Sequence, residues 1–257
     1  MKSPADGKEM PFLDHLEELR RVLIDCLIAL AVGFGLAWIF SDRVLDLLIT
    51  RTMPGGAPVV FLGPADAFAA RFKVALSMGL LIVLPFIFWR LWRFVVPGLL
   101  REERAFVLPA VVFSSLLFYC GGAFGLLVLV PVVMRILLGF GTEHMTPAIA
   151  VGHLLGFVLK LSLTCGLVFE LPLVTTILTL VGVVSPEGLW AHWRHAVLVI
   201  FIVAALVTPG DGPSQLILGV PITILYFASV ALSFGVRRRG RRAAARRDIG
   251  HIEETPS

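Results

Sequence analysis

Glu170 stands near the middle of the apolar run LTCGLVFELPLVTTILTLVG. A carboxylate at that depth is costly to ionise unless it meets a partner or water, so its position alone marks it for function. Two readings are open. The carboxyl is kept neutral by burial and hydrogen-bonded to a neighbouring helix. Alternatively, it faces a water-filled concavity, where it thins the local bilayer. Lys160 is not its obvious partner, because ten residues of helix separate the two by about 15 Å. Its stem is expected to carry the ammonium outward.

Three other constellations carry polar chemistry. The first is MPFLDHLEELRRVL near the N-terminus. Asp14 can cap a helix, with Glu17 completing a capping box. Phe12, Leu16, Leu19 and Leu23 then share one side, and Asp14, Glu18, Arg21 and Asp25 another. This spacing predicts an amphipathic surface helix. Either it is a capped interfacial element with Glu–Arg pairs worth about 0.3 kcal/mol each, or its acids receive a cationic ligand. The second is WRLWRFVVPGLLREERAFVLP, where Trp89, Trp92 and Phe94 precede Pro97 and the run Arg101, Glu102, Glu103, Arg104. Tryptophan at a membrane boundary is usually an anchor. The third is the turn TPGDGPSQ, with Thr208, Asp211 and Gln215. No Lys-Ser or Lys-Thr follows its glycines, so it is not a phosphate loop.

These groups must be positioned by membrane helices. Hydrophobic residues make up 58% of the 257-residue chain and charged residues 16%, against roughly 25% in a soluble domain. Mean hydropathy is +0.92. Six apolar stretches emerge, near 22–40, 74–96, 105–134, 151–184, 196–207 and 216–234. A helix needs about 20 residues to cross about 30 Å of hydrocarbon. The fourth stretch is too long to stand upright and should bend at Pro172. The fifth offers only about 18 Å of helix, so the bilayer should thin around it. Pro85 and Arg90 interrupt the second. Between the first two lies a Pro- and Gly-containing loop, 41–70, expected to form a cap.

Sixteen of the twenty-two Lys and Arg residues fall on the N-terminal side of the predicted topology, and five on the other side. Both termini are therefore expected in the cytoplasm. Seven arginines between Arg237 and Arg247 dominate the net charge of +4. They form a basic tail, expected to be disordered, that suits a topology signal and anionic lipid better than nucleic acid. The expected division is 1–21 (cytoplasmic amphipathic segment), 22–235 (membrane domain) and 236–257 (tail). No cleavable signal peptide is expected. Cys26, Cys120 and Cys165 lack metal or redox spacing and are expected to be buried packing residues. No nucleotide motif, metal cluster or nucleophile–base pair occurs, and the histidines lie mostly at span ends. No cofactor and no catalysis are expected, which sets aside an intramembrane hydrolase. A proton-coupled small-solute carrier using Glu170 is the alternative function.

Taken in order, FLDHLEELRRVL, FLGPADAF, WRFVVPGLLREER, VFELP and LVTPGDGPSQ resemble the TatC family, the multispanning receptor of the twin-arginine translocase. The resemblance covers about Pro11 to Phe234. It implies an all-α, six-span membrane protein of the cell membrane, with a concave face and two short last spans. It further implies binding of twin-arginine signal peptides, assembly with TatA and TatB, self-association, and export of folded proteins driven by the proton motive force. By the same resemblance, Glu18 and Glu103 meet the signal peptide's arginines, and Arg20 orients Glu18. Phe94 and Pro97 shape the site, Glu170 is the acid of the fourth span, and Thr208, Asp211 and Gln215 contact partner subunits. Two positions depart from the family pattern: Phe227 replaces an acid after Tyr226, and Thr52 replaces a proline.

Overall fold

The computed structural model describes residues 10–53, 59–95, 107–141, 148–180, 182–208 and 212–253. Among these, five helical stretches are long and apolar enough to span a membrane, and Trp193–Val207 is a shorter sixth. The chain divides into two compact units, Met1–Tyr119 with Gly141–Leu159, and Cys120–Phe140 with Lys160–Ser257.

The first unit is built on an extensive antiparallel pair, α1 (Met10–Thr52) and α2 (Asp66–Val95). The surface helix and the first span are thus one continuous 43-residue helix. Asp14 lies inside α1 rather than capping it, because the helix already begins at Met10. The helix also continues past Phe40 into the expected loop, since no breaker occurs before Pro54. Thr52 closes α1 by donating its hydroxyl to the Leu48 carbonyl. After a two-residue strand β1 (Val59–Val60), the Asp66 carboxylate accepts from the N–H groups of Leu62 and Gly63, both at 2.9 Å. That turn is the physical content of the FLGPADAF motif. β1 pairs in parallel with β2 (Ile149–Ala150).

Close packing in this unit depends on two glycines. A Cβ on Gly79 would stand 2.6 Å from the Phe34 nitrogen and 2.8 Å from the Gly33 carbonyl carbon. Small residues let membrane helices approach to backbone contact, where dispersion replaces the missing hydrophobic drive. Pro85 does not break α2. It cannot return an N–H to the Leu81 carbonyl, and the Tyr119 hydroxyl fills that acceptor instead, at 2.8 Å.

The third span is α3 (Val107–Phe124), a π-helical turn (Gly125–Leu129) and α4 (Val130–Gly139). The wider turn directly precedes Pro131, whose ring would crowd a regular α-helical turn. In the second unit, Gly121 and Gly125 let this span cross α5 (Val151–Phe169) closely, because a Cβ on Gly121 would meet the Cys165 carbonyl oxygen at 2.6 Å. Of the three cysteines only Cys165 is buried, while Cys120 is exposed and Cys26 intermediate. The expected bend occurs: α5 ends at Phe169 and α6 (Leu171–Leu180) starts after Glu170. Gly182 (φ +80°) turns the chain beyond α6. Ser185 then caps the short α7 (Pro186–Ala191) through the Gly188 N–H.

The fifth span, α8 (Trp193–Val207), has 15 residues, or about 22 Å of helix, and is short as expected. The sixth is not short, since the apolar part of α9 (Gly212–Glu253) covers 24 residues, Gly212–Gly235. The helix also runs on through the arginine-rich segment instead of ending before a disordered tail. Ala243 to Ala245 and the arginines are good helix formers, which offsets the charge repulsion.

Gly79→Val should lower stability in detergent by about 2–3 kcal/mol, because backbone atoms must separate to admit the side chain. Gly35→Ala, where an added Cβ meets nothing within 4 Å, should leave the melting temperature almost unchanged. Equal melting of both variants would place the α1–α2 contact elsewhere.

Candidate functional site

The acidic face of α1 meets the C-terminal end of α2 through two contacts. His15 stacks on Phe94 with ring centroids 4.4 Å apart and planes 12° from parallel. Val22, which lies between the contact residues along α1, is buried. Asp25 forms an ion pair with Arg90. Glu18 lies one turn from His15 and two turns from Asp25, on the edge of the same face. Its side chain is exposed, and it forms no ion pair among the described residues. Its neighbour Glu17 is engaged by Arg21 at 2.6 Å, the pairing expected at i,i+4. Among the described residues Glu18 is therefore an exposed acid of this face with no cationic partner.

Residues two apart on a helix do not face one another, and no ion pair joins Arg20 to Glu18 among the described residues. The Asp25–Arg90 pair two turns on is a contact that the sequence left without a role. Both are ionisable groups at the ends of apolar stretches, and that was the available signal. Nearby, the Trp92 indole N–H donates to the Ser114 hydroxyl at 3.0 Å and ties α2 to α3. Arg93 lies over the Trp89 ring at 5.7 Å. Glu103 and Pro97 lie outside the described residues, as does Asp211.

In the second unit Glu170 is only 7% exposed. Its N–H bonds the Leu167 carbonyl at 3.2 Å, a tight turn, and its own carbonyl accepts from Leu173 and Val174. Pro172 forces this, having no N–H to return to Val168. Thr175 and Thr176 donate their hydroxyls to the carbonyls of Leu171 and Pro172.

Thr208 and Gln215 come together at the C-terminal half of α8, and both work within the chain. The Thr208 hydroxyl donates to the Ala204 carbonyl, and the Gln215 amide to the Phe201 carbonyl, each at 2.9 Å. Lys160 is not simply extended outward, because its ammonium donates to the Leu206 carbonyl. A cation on the carbonyl end of a helix also complements the helix dipole. Where the family pattern has an acid, Phe227 instead packs against Trp190 and Trp193, with ring centroids 6.1 and 6.2 Å away.

A family model described as Sec-independent protein translocase protein (TatC) matches residues 14–221. The Sec-independent protein translocase protein TatC of Desulforapulum autotrophicum is 37% identical over 238 residues, spanning 91% of this chain and 88% of that protein. Its counterpart in Koribacter versatilis is 34% identical over 254 residues, spanning 96% and 93%. A crystal structure of the twin arginine translocase receptor TatC is similar with a TM-score of 0.79 and 32% identity, covering 87% of this chain and 99% of that one.

Asp25→Asn should destabilise the protein by about 1–3 kcal/mol, because the largely buried Arg90 guanidinium loses its counter-charge. The double change Asp25→Leu with Arg90→Met should melt closer to the unmodified protein, since it removes both charges. If thermal unfolding shows the double variant to be the weaker, the ion pair does more than neutralise Arg90.

Proposed function

We propose, for a chain that belongs to the TatC family of Sec-independent protein translocase proteins, that the α1–α2 end bearing Glu18 receives the paired arginines of a signal peptide. The protein is a multi-pass membrane component of the translocase and not an enzyme. That membership also removes the small-solute carrier as its function.

The observation that carries the proposal is the exposed Glu18 carboxylate, fixed between the His15–Phe94 stack and the Asp25–Arg90 pair. A guanidinium presents a planar fork, which a carboxylate meets with two charge-assisted hydrogen bonds. An ammonium is a point charge and cannot reproduce that geometry, so the site should prefer Arg to Lys. Glu103 supplies the second carboxylate, and Phe94 and Pro97 shape the approach. The chain works in the cell membrane with both termini cytoplasmic, which puts this surface where a signal peptide arrives. TatA- and TatB-type subunits dock along α8 and α9 near Thr208, Asp211 and Gln215, and the proton motive force drives transport. The intramolecular bonds of Thr208 and Gln215 favour a role in holding that surface in shape. Glu170 serves as the acid of the fourth span.

A purified preparation should bind an Arg-Arg signal peptide at least about tenfold more tightly than the same peptide with Lys-Lys, a difference of about 1.4 kcal/mol. Glu18→Ala with Glu103→Ala should abolish that preference while leaving membrane insertion intact. Equal affinities in the unmodified protein would remove the proposed receptor surface. Reporter fusions after Arg239 and after Thr142 should report cytoplasmic and external locations respectively, and the reverse pattern would overturn the orientation.

A further inference from the structure

The second unit contains a slot of about 680 Å³ that peptide recognition leaves unused. Val168 and Leu171 contribute one wall, Val199 and Val203 of α8 another, and Ile222 and Tyr226 of α9 a third. The lining is almost wholly apolar, and Glu170 is not part of it although both its flanking wall residues are.

Polarity is confined to one end, where His192 and His195 line the slot. Arg194, between them and exposed, lies over the Trp193 ring at 5.6 Å. Arg237 of α9 stands nearby in an ion pair with Glu187, the only carboxylate beside this end among the described residues. Arg237 and Glu187 thus neutralise one another, and Arg194 forms no ion pair among the described residues, which leaves one arginine beside two imidazoles at this end. Trp190 and Trp193 are exposed at the same end, the residue type that marks a membrane–water boundary.

Length narrows the occupant. From His192 to Val203 the slot follows about 16 Å of chain at helical rise. That is about half of the roughly 30 Å hydrocarbon thickness, the depth that one leaflet's acyl chains span. We propose that this slot binds an anionic phospholipid of the bilayer, one acyl chain lying along α8 and the headgroup phosphate held by Arg194, His192 and His195. The lipid fills the space beside a span too short to cross an undeformed membrane.

Native mass spectrometry of the full chain in detergent, with phosphatidylglycerol or phosphatidylcholine of identical chains, tests this. The protein should retain phosphatidylglycerol about fivefold better, the equivalent of one cation near an anionic surface. Arg194→Gln with His195→Gln should erase the preference. Ala196→Phe with Val203→Phe should reduce retention of both lipids. Equal retention by the unmodified protein, or undiminished retention after filling, overturns the proposal. Should the filled variant fail to fold, brominated-chain lipids provide a second reading. In a chain whose other three tryptophans are phenylalanine, Trp190 and Trp193 should be quenched more by the glycerol lipid than by the choline lipid. Equal quenching overturns the proposal as well.

Discussion

A backbone carbonyl in hydrocarbon has no water to bond, so every interruption of a spanning helix must be repaired from within the protein. This constraint recurs along the chain. The Leu81 carbonyl, vacated by Pro85, takes the Tyr119 hydroxyl. The Leu189 carbonyl near the end of α7 takes the Tyr226 hydroxyl. At the end of α8, Lys160 and Thr208 serve the carbonyls of Leu206 and Ala204. Ahead of Pro131 the chain widens to a π-turn instead. Polar residues that look anomalous in apolar stretches are thus largely accounted for by backbone groups left open nearby.

The same economy governs charge. Asp25 and Arg90 neutralise one another at the end of the first helix pair, and the glycine contact between α1 and α2 holds the two helices at the distance the ion pair needs. Among the described residues Glu17 pairs with Arg21 and Glu18 forms no ion pair. A carboxylate proposed to receive arginines has to be fixed in place yet left accessible, as this exposed face of α1 allows. His15 and Asp25 anchor the helix to α2 on either side of Glu18.

In the second unit, shortness is the organising fact. An α8 of 15 residues cannot satisfy both leaflets. The structure brackets it with a capped α7 on one side and a cluster of side-chain donors on the other. Gly219 lets the Phe201 ring approach α9 closely. The result is a helix held in shape by polar contacts at its ends and flanked by an apolar slot of leaflet depth.

Composition and local pattern by themselves determined much of this. Six apolar stretches, the bend at Pro172, the shortness of the fifth span and the Glu17–Arg21 pair all follow from rules that act over one or two helical turns. Spacing marked an acidic face on α1, while the choice of Glu18 within it came from the resemblance of FLDHLEELRRVL to the TatC family. Pairing between distant residues was decided only by the tertiary structure. That Asp25 finds Arg90, that Lys160 reaches a carbonyl forty-six residues away, and that Tyr119 completes α2 depend on which helices lie together. Helix continuity was also misjudged locally, at Ser41 and beyond Gly235, because a polar or charged residue ends an apolar stretch without ending a helix. Hydropathy records where lipid is tolerated, whereas helix ends depend on where backbone hydrogen bonds can be completed.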